Sequence, residues 1–371
     1  AAHLAHLVLE QTAQGLHQLE LQVLGQAAHV VVALDLHRHP LAGLGVDVGA
    51  GTFNHVGIEG ALGQVVEGAK ALALLLEHPD ELAPDDLALG LGVGGPGQRV
   101  EERGRPAVDV VLEHIRAGDC YQVNYAQHHW AEFKGDLWQA YLSLRKSNPA
   151  PYAAFWQWDN QAILSLSPER FIQTQTDGDC ISAQTKPIKG TVLRGNSLEE
   201  DQENAIKLLN SDKDRAENLM IVDLLRNDLG KTCVAGSIRV PKLFDLESFP
   251  NVHHLVSTVT GTLKPECSPL DLLQGCFPGG SITGAPKKRS MEIIDELEPI
   301  KRSVYCGSMG YICASNQMDT NIAIRTLIAD NTELHCWGGG GIVADSNADS
   351  EFEESMNKIR LILQILETTI G

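Results

Sequence analysis

Near residue 105 the sequence changes character, and only the part beyond it carries the punctuation of a folded enzyme. Residues 1–105 contain no Ser, Cys, Met, Trp or Tyr and a single lysine, Lys70, yet hold eight of the fourteen histidines. Apolar spacing fits helical patches in 3–35 and 60–78. Pairs such as His3/His6 and His37/His39 lack the Cys or carboxylate pattern of a metal centre, so a structural reading is preferred. Two readings of the segment stay open: a region whose role the sequence does not reveal, or a non-native stretch joined to an enzyme. From Pro106 onward helix and strand patterns alternate between well-marked turns. The expected division is therefore an atypical segment over 1–105 and a catalytic domain over 106–371.

A chain of 371 residues can bury an ample core in one large or two ordinary domains. Its formal charge of −19 argues against a nucleic-acid partner, which needs a basic stripe. The same charge means that an anionic substrate must be met by locally placed cations or a metal ion. No run approaches the roughly 18 apolar residues of a membrane span, and the start lacks the basic segment of a secretory signal. The eight cysteines show neither Cys-x-x-Cys nor regular spacing, and are expected as reduced thiols in a cytoplasmic protein.

Several polar residues sit where a core is expected. Ser197-Leu-Glu-Glu200 is a capping box that opens a helix through Ala205, Ile206 and Leu209. Ser211-Asp-Lys-Asp214 opens a second helix, expected to stop at Asn227-Asp-Leu-Gly230; on it Met220, Ile221 and Leu224 share a face with Glu217. A carboxylate there is costly unless it is paired, bound to a metal, or at the helix edge and able to reach solvent. The C-terminal helix repeats the pattern. Phe352, Met356, Ile359, Leu363 and Leu366 form an apolar stripe, and Glu351, Glu354 and Lys358 line the adjacent face. Mg²⁺ favours one or two carboxylates plus water and substrate oxygens, a set that Glu217 and Glu354 would supply. For the C-terminal helix alone, an exposed Glu/Lys face is the plainer reading.

The run Ile322–Ala329 alternates as a strand, with Arg325 between Ala323 and Leu327 on one face. Such an arginine pairs either with a ligand anion or with a structural carboxylate. Gly338–Gly341 reads as a loop whose backbone N–H groups would cradle an anionic oxygen. Gly279-Gly-Ser-Ile-Thr-Gly284 fails as a P-loop, because Ala285-Pro286 stands where Lys and Ser/Thr must follow, so ATP is disfavoured. A plain turn is the alternative for both glycine runs.

Taken together, six stretches occur in order: Gly118-Asp-Cys-Tyr-Gln-Val-Asn-Tyr-Ala-Gln127, Ser167-Pro-Glu-Arg-Phe171, Lys186-Pro-Ile-Lys-Gly-Thr191, Asp214-Arg-Ala-Glu-Asn-Leu-Met-Ile-Val-Asp223, Phe277-Pro-Gly-Gly-Ser-Ile-Thr-Gly-Ala-Pro-Lys287 and Gly338-Gly-Gly-Gly-Ile-Val-Ala-Asp345. Over 106–371 the chain resembles the chorismate-utilising family of anthranilate, aminodeoxychorismate, isochorismate and salicylate synthases. Two positions discriminate within it. Isochorismate and salicylate synthases typically place a water-activating lysine where this chain has Gln122. Anthranilate synthases typically have Ala where this chain has Lys189, and Pro-Ile-Lys-Gly-Thr is the aminodeoxychorismate version.

The resemblance implies an α/β (α+β) sandwich of two antiparallel sheets with helices outside. It implies that Lys189 attacks the chorismate ring as a covalent nucleophile while Glu169 protonates the leaving 4-hydroxyl. Ammonia then displaces the lysine to give 4-amino-4-deoxychorismate, a precursor of 4-aminobenzoate and folate. Glu217 and Glu354 match magnesium ligands, with Glu351 close by and acting through water. Arg325, Tyr311 and Lys358 match positions that hold the substrate's carboxylate and enolpyruvyl groups. Gly190, Thr191 and the Gly339, Gly340 and Gly341 backbone would add hydrogen bonds, and His254 matches an active-site histidine, whereas His253 reads as structural. Ammonia would come from a separate glutamine amidotransferase chain, since no Cys-His-Glu glutaminase motif is evident. The further N-terminal strands of the family, and the tryptophan site of some members, have no recognisable pattern in 1–105. The enzymatic alternative is an anthranilate synthase that releases pyruvate, against which Lys189 speaks. The alternative of another class is a catalytically silent chorismate-binding or regulatory subunit, against which the intact Lys189, Glu169, Glu217 and Glu354 speak.

Overall fold

The computed structural model describes residues 25–34, 45–51, 98–313 and 315–370, with side chains over 105–313 and 315–367. Its strands form two sheets in which all pairs run antiparallel. The larger comprises β1 (Gly25–Leu34), β2 (Gly45–Gly51), β6 (Arg170–Asp177), β7 (Cys180–Thr185), β8 (Ile188–Leu193), β9 (Arg239–Ser248), β10 (Val252–Thr262), β12 (Ser308–Cys313) and β13 (Met318–Asn321). Their order is β2-β1-β12-β13-β6-β7-β10-β8, with β9 also paired to β10. The smaller sheet comprises β3 (Gln122–Glu132), β4 (Tyr152–Trp158), β5 (Gln161–Ser167), β11 (Gly284–Ala285), β14 (Thr326–Asp330) and β15 (Glu333–Ile342), ordered β11-β3-β15-β14-β5-β4. This is the two-sheet sandwich that the motifs imply.

Seven helices among the described residues cover the sheets: α1 (Gln98–Ala117), α2 (Leu137–Ser147), α3 (Leu198–Leu209), α4 (Asp212–Thr232), α5 (Pro269–Cys276), α6 (Lys287–Leu297) and α7 (Ala348–Ile370). The apolar stripe of α7 buries Ile359, Ile362 and Leu366 together with Leu144 of α2 against Leu164, Leu166 and Leu327 of the smaller sheet. Each fully buried side chain of this kind is worth roughly 1.5–3 kcal/mol. Val108, Val111 and Leu112 of α1 join Ile293 and Ile294 of α6 over Val123 and Ile342. Ala126 and Trp337 meet Phe171, Val259 and Met318 of the larger sheet in the central cluster. These layers hold α4 and α7 at the margin of the sandwich where the site forms.

Local expectations differ from the structure at several points. Residues 25–34 form strand β1 rather than helix, in keeping with the β-branched run Val30–Val32, and pair with β12 and β2. The rest of the helical patches in 3–35 and 60–78, and His3, His6, His37 and His39, lie outside the described residues. Helix α1 passes through residue 105 without a break. Ser197 caps α3 by accepting the Glu200 N–H at 3.1 Å, but Glu200 reaches back to the Asn196 N–H at 2.8 Å, one residue before the cap. Helix α4 does not stop at Gly230; it runs to Thr232, with the Cys233 N–H bonded to Leu229 O, because Leu229 and Thr232 are buried and the next turn still packs.

The run 322–329 is not one strand. β13 ends at Asn321, β14 begins at Thr326, and Arg325 between them has φ +51°. The chain is crossing from the larger sheet to the smaller here, which a continuous strand cannot do. Gly338–Gly341 is not a loop either: it lies within β15, with Gly338 opposite Gln127 and Gly341 opposite Asn124. Strand β14 keeps register with β15 only up to Leu327 opposite Cys336, so from Gly338 onward β15 is paired on the β3 side alone. On its other side that stretch has no strand partner among the described residues, and Lys358 donates to the Gly339 carbonyl.

One buried ion pair ties the turn before β11 to the sheet. Arg302, 0% exposed, donates to both carboxylate oxygens of Glu298 and to Ile282 O and Asn124 O, while Glu298 also accepts the Ala126 N–H at 2.8 Å. Removing one partner strands the other charge, so Arg302→Met is expected to destabilise the protein by about 3–5 kcal/mol, read as a lower denaturation midpoint. A midpoint within error of the wild type would show that this pair is dispensable.

Candidate active site

Lys189 enters the gap between the sheets from β8. Gly190, with φ +83°, takes the left-handed conformation that glycine accepts without cost, and a Cβ there would meet Leu208 Cδ1 at 2.8 Å and Asp214 Cγ at 2.9 Å. The ladder to β10 shifts register between His254 and Val256 at this point, and such a bulge re-aims the neighbouring side chain. The Lys189 side chain is only 13% exposed, with Nζ 4.0 Å from Glu217 Oε2 and 3.4 Å from where a Cβ on Gly341 would stand. Burial holds its pKa below the usual lysine value against the pull of Glu217, and Lys358 adds to the lowering.

Glu169 closes the other side. It lies in the turn from β5 to β6, fixed by the Ile322 N–H on its carbonyl and by its own N–H on Ser167 Oγ at 3.2 Å. Its carboxyl is 5% exposed, and burial pushes its pKa up to about 7, moderated by hydrogen bonds from Ser281 and the Ile188 backbone and by the Lys189 charge. A carboxyl poised near neutrality is suited to donate a proton. Ser281 was not singled out in the sequence, where its glycine-rich run read as a failed P-loop or plain turn. Ser281→Ala removes a group that lowers the Glu169 pKa. The alkaline limb of the activity profile should therefore move to higher pH, and an unmoved limb would rule out this tuning.

Around the pair stand further cations and carboxylates. Lys213 of α4 lies 3.9 Å from Glu217 and 3.7 Å from Glu351, bridging α4 to α7. Lys358 bonds Glu354 at 2.9 Å and the Gly339 carbonyl at 2.9 Å. An ideal Cβ on Gly340 would lie 3.3 Å from Glu351 Oε2, 3.7 Å from Lys358 Nζ and 3.8 Å from Glu354 Oε1, so glycine leaves room where these groups converge. Burial would raise the Glu354 pKa, but Lys358, Lys213 and Lys189 outweigh it and hold the carboxylate charged. Lys213 had a legible signal, its i,i+4 spacing to Glu217.

Thr191 Oγ1 and His254 Nδ1 are 2.8 Å apart across β8 and β10. Burial, then Arg325 and His253, push the His254 pKa down to about 4, so the ring is neutral at pH 7. His253 is held by Asp201 at 3.1 Å and Ser248 at 2.8 Å, which fits its structural reading. Among the described residues no carboxylate pairs with the Arg325 guanidinium, whose pKa burial lowers, so this half-buried cation remains available to an anion. Gln122 is 0% exposed with both amide atoms unpartnered among the described residues, and its Nε2 stands beside Gly341 and Lys189.

Tyr311 does not converge with these groups. It faces Asp319 across β12 and β13, is 41% exposed, and shares the field of Arg170, which bonds Asp319 at 2.9 Å.

Cations thus gather at a gap in a strongly acidic chain, beside a depressed lysine and a proton-holding carboxyl. The family model for chorismate binding enzymes matches residues 101–364. The chain belongs to the chorismate-binding enzymes. It is 56% identical over 257 residues to aminodeoxychorismate synthase component 1 of Escherichia coli K12, covering 69% of this chain and 56% of that protein. It is 54% identical over 253 residues to the protein of the same name from Salmonella typhimurium, covering 68% and 55%. The chain thus spans about half the length of the curated relatives it matches. Anthranilate synthase component I from Streptococcus pneumoniae superposes with TM-score 0.70 at 29% identity, over 94% of this chain and 83% of that one.

Among the described residues no group of three or more His, Cys, Asp or Glu side chains is preassembled around a metal position. The donors nonetheless suit Mg²⁺: Glu217, Glu351 and Glu354 offer hard oxygens, and Glu217 makes no hydrogen bond among the described residues, meeting only lysines at 4.0 and 3.9 Å. Among the described residues no helix is long and apolar enough to cross a membrane, and all eight cysteines are free thiols.

Proposed function

We propose that this chain converts chorismate and ammonia to 4-amino-4-deoxychorismate and water; relatives named aminodeoxychorismate synthase component 1 support the reading. The observation that carries the reading is Lys189, buried, lowered in pKa and set against Glu217 on the same gap as the proton-holding Glu169. Neutral Lys189 bonds to the ring as the C4–O bond breaks; Glu169 gives its proton to the departing oxygen, which leaves as water. Ammonia then forms its bond at the carbon that lost the hydroxyl, and the lysine–carbon bond breaks to restore the amine. Two displacements give overall retention. Gln122 supports amine transfer over hydration, because a glutamine amide has no basic nitrogen to activate water.

Arg325 and Lys358 would meet the two carboxylates of the substrate, with Thr191, His254 and the β15 backbone at Gly339–Gly341 adding hydrogen bonds. Mg²⁺ would be held by Glu217 and Glu354, with Glu351 behind them, and would neutralise a substrate carboxylate. The partner in this reading is a glutamine amidotransferase chain that releases ammonia, and the product feeds 4-aminobenzoate synthesis.

The test is to incubate the chain with chorismate, Mg²⁺ and an ammonium salt and identify the product by mass. Aminodeoxychorismate without pyruvate is expected. Anthranilate with pyruvate would replace the assignment by its nearest enzymatic rival, and chorismate binding without turnover would indicate a silent subunit.

A further inference from the structure

Behind Gly340, between the smaller sheet and helices α1 and α7, lies a cavity of about 20 Å³. Val108, Ile342 and Phe352 give it apolar walls, and Gln127, Glu351 and Ser355 face it as well. These three are 8%, 6% and 5% exposed, and Gln127 Oε1, Glu351 Oε2 and Ser355 Oγ have no hydrogen-bond partner among the described residues. One stranded buried polar atom costs about 1–3 kcal/mol. Three of them lining one cavity point to an occupant.

Its size and chemistry are narrow. The space fits a single heavy atom with its hydrogens. A hydrated Mg²⁺ is too large, because that ion keeps several of its waters. Gln127 Oε1 only accepts, and Glu351 Oε2 and Ser355 Oγ can accept as well. The other Glu351 oxygen is taken by the Ser346 hydroxyl at 2.6 Å and faces Lys213 at 3.7 Å, so Oε2 is the oxygen left without a partner in the cavity wall. A cation that donates three hydrogen bonds satisfies all three atoms and gains a charge-assisted bond to Glu351.

We propose that this cavity is a holding site for ammonium, next to the centre that consumes ammonia. The inference rests on the amine-transfer reading for its purpose, but its binding chemistry stands apart from it. Gly340 lines the cavity, and the following residue, Gly341, borders Lys189. Gly340 and Gly341 face opposite sides of β15, so the co-substrate would be stored across that strand from the nucleophile.

Two measurements on the full chain test this. Ser355→Val fills the cavity, while Ser355→Ala and Gln127→Leu remove one acceptor each and disturb packing less. With saturating chorismate, the variants should raise the KM for ammonium at least tenfold while kcat and the chorismate KM hold. Separately, ammonium chloride should raise the thermal midpoint of the wild type above that in sodium or potassium chloride at equal ionic strength, and Ser355→Val should erase the difference. Equal midpoints in all three salts with an unchanged ammonium KM would mean that a water fills the cavity, and the proposal falls. Potassium matching ammonium would make it a general monovalent site, and the proposal falls too. If the wild type forms no product yet shows the Ser355-dependent ammonium shift, the holding site stands and the amine-transfer reading fails.

Discussion

Lys189→Ala is expected to lower aminodeoxychorismate formation by on the order of a thousandfold or more while leaving the fold intact. The side chain makes one distant ion pair, 4.0 Å to Glu217, and its burial is a cost to the folded state rather than a support. Activity should therefore collapse without a matching loss of stability. Lys189→Arg should not restore it, because a guanidinium stays protonated at any working pH and cannot attack. The covalent step has its own signature. Wild-type chain quenched during turnover should carry an adduct with the mass of chorismate less one water, on the peptide that contains Lys189. Absence of that adduct, together with full activity in Lys189→Ala, would discard the lysine-centred mechanism and leave direct attack by ammonia.

The sequence made the chemistry of this site more legible than its geometry. Glu217 could be singled out locally as a carboxylate on an apolar helix face, whereas Lys189 and Glu169 became legible only through the motifs that carry the resemblance, and Glu354 and Lys358 read alone as an exposed helix face. What brings them together is long-range. The break at Arg325 was hidden because Ile322–Ala329 alternates as well as any strand; only the passage between two sheets requires φ +51° in its middle. The glycine run looked like a loop because glycine disfavours strands, yet pairing with β3 and the close approach of Glu351, Glu354 and Lys358 to Gly340 override that preference. Ser281 escaped notice because its contact with Glu169 joins segments more than a hundred residues apart, with no spacing rule to connect them. Tyr311 shows the opposite failure: a motif position carried by resemblance lies 41% exposed opposite Asp319, in the field of Arg170.

Activity should fall as pH rises through about 7, because Glu169 must hold a proton to release the 4-hydroxyl and its pKa stands near that value. It should also fall towards acid, where Lys189 becomes protonated below its depressed pKa, so kcat/KM should trace a bell. Glu169→Gln cannot donate a proton and should lose roughly 10²–10⁴-fold in kcat together with the alkaline limb. Stability supplies an independent reading. The folded state holds the Glu169 proton more tightly than the unfolded chain, so this group favours folding below its unfolded pKa of 4.5 and loses that contribution as pH climbs to about 7. The loss is at most on the order of 3 kcal/mol. Glu169→Gln, neutral throughout, should flatten that decline and match or exceed the wild type in stability at pH 8. If both proteins lose stability in parallel between pH 5 and 8, Glu169 is not the group that titrates. A surviving alkaline limb in Glu169→Gln would then place the general acid elsewhere.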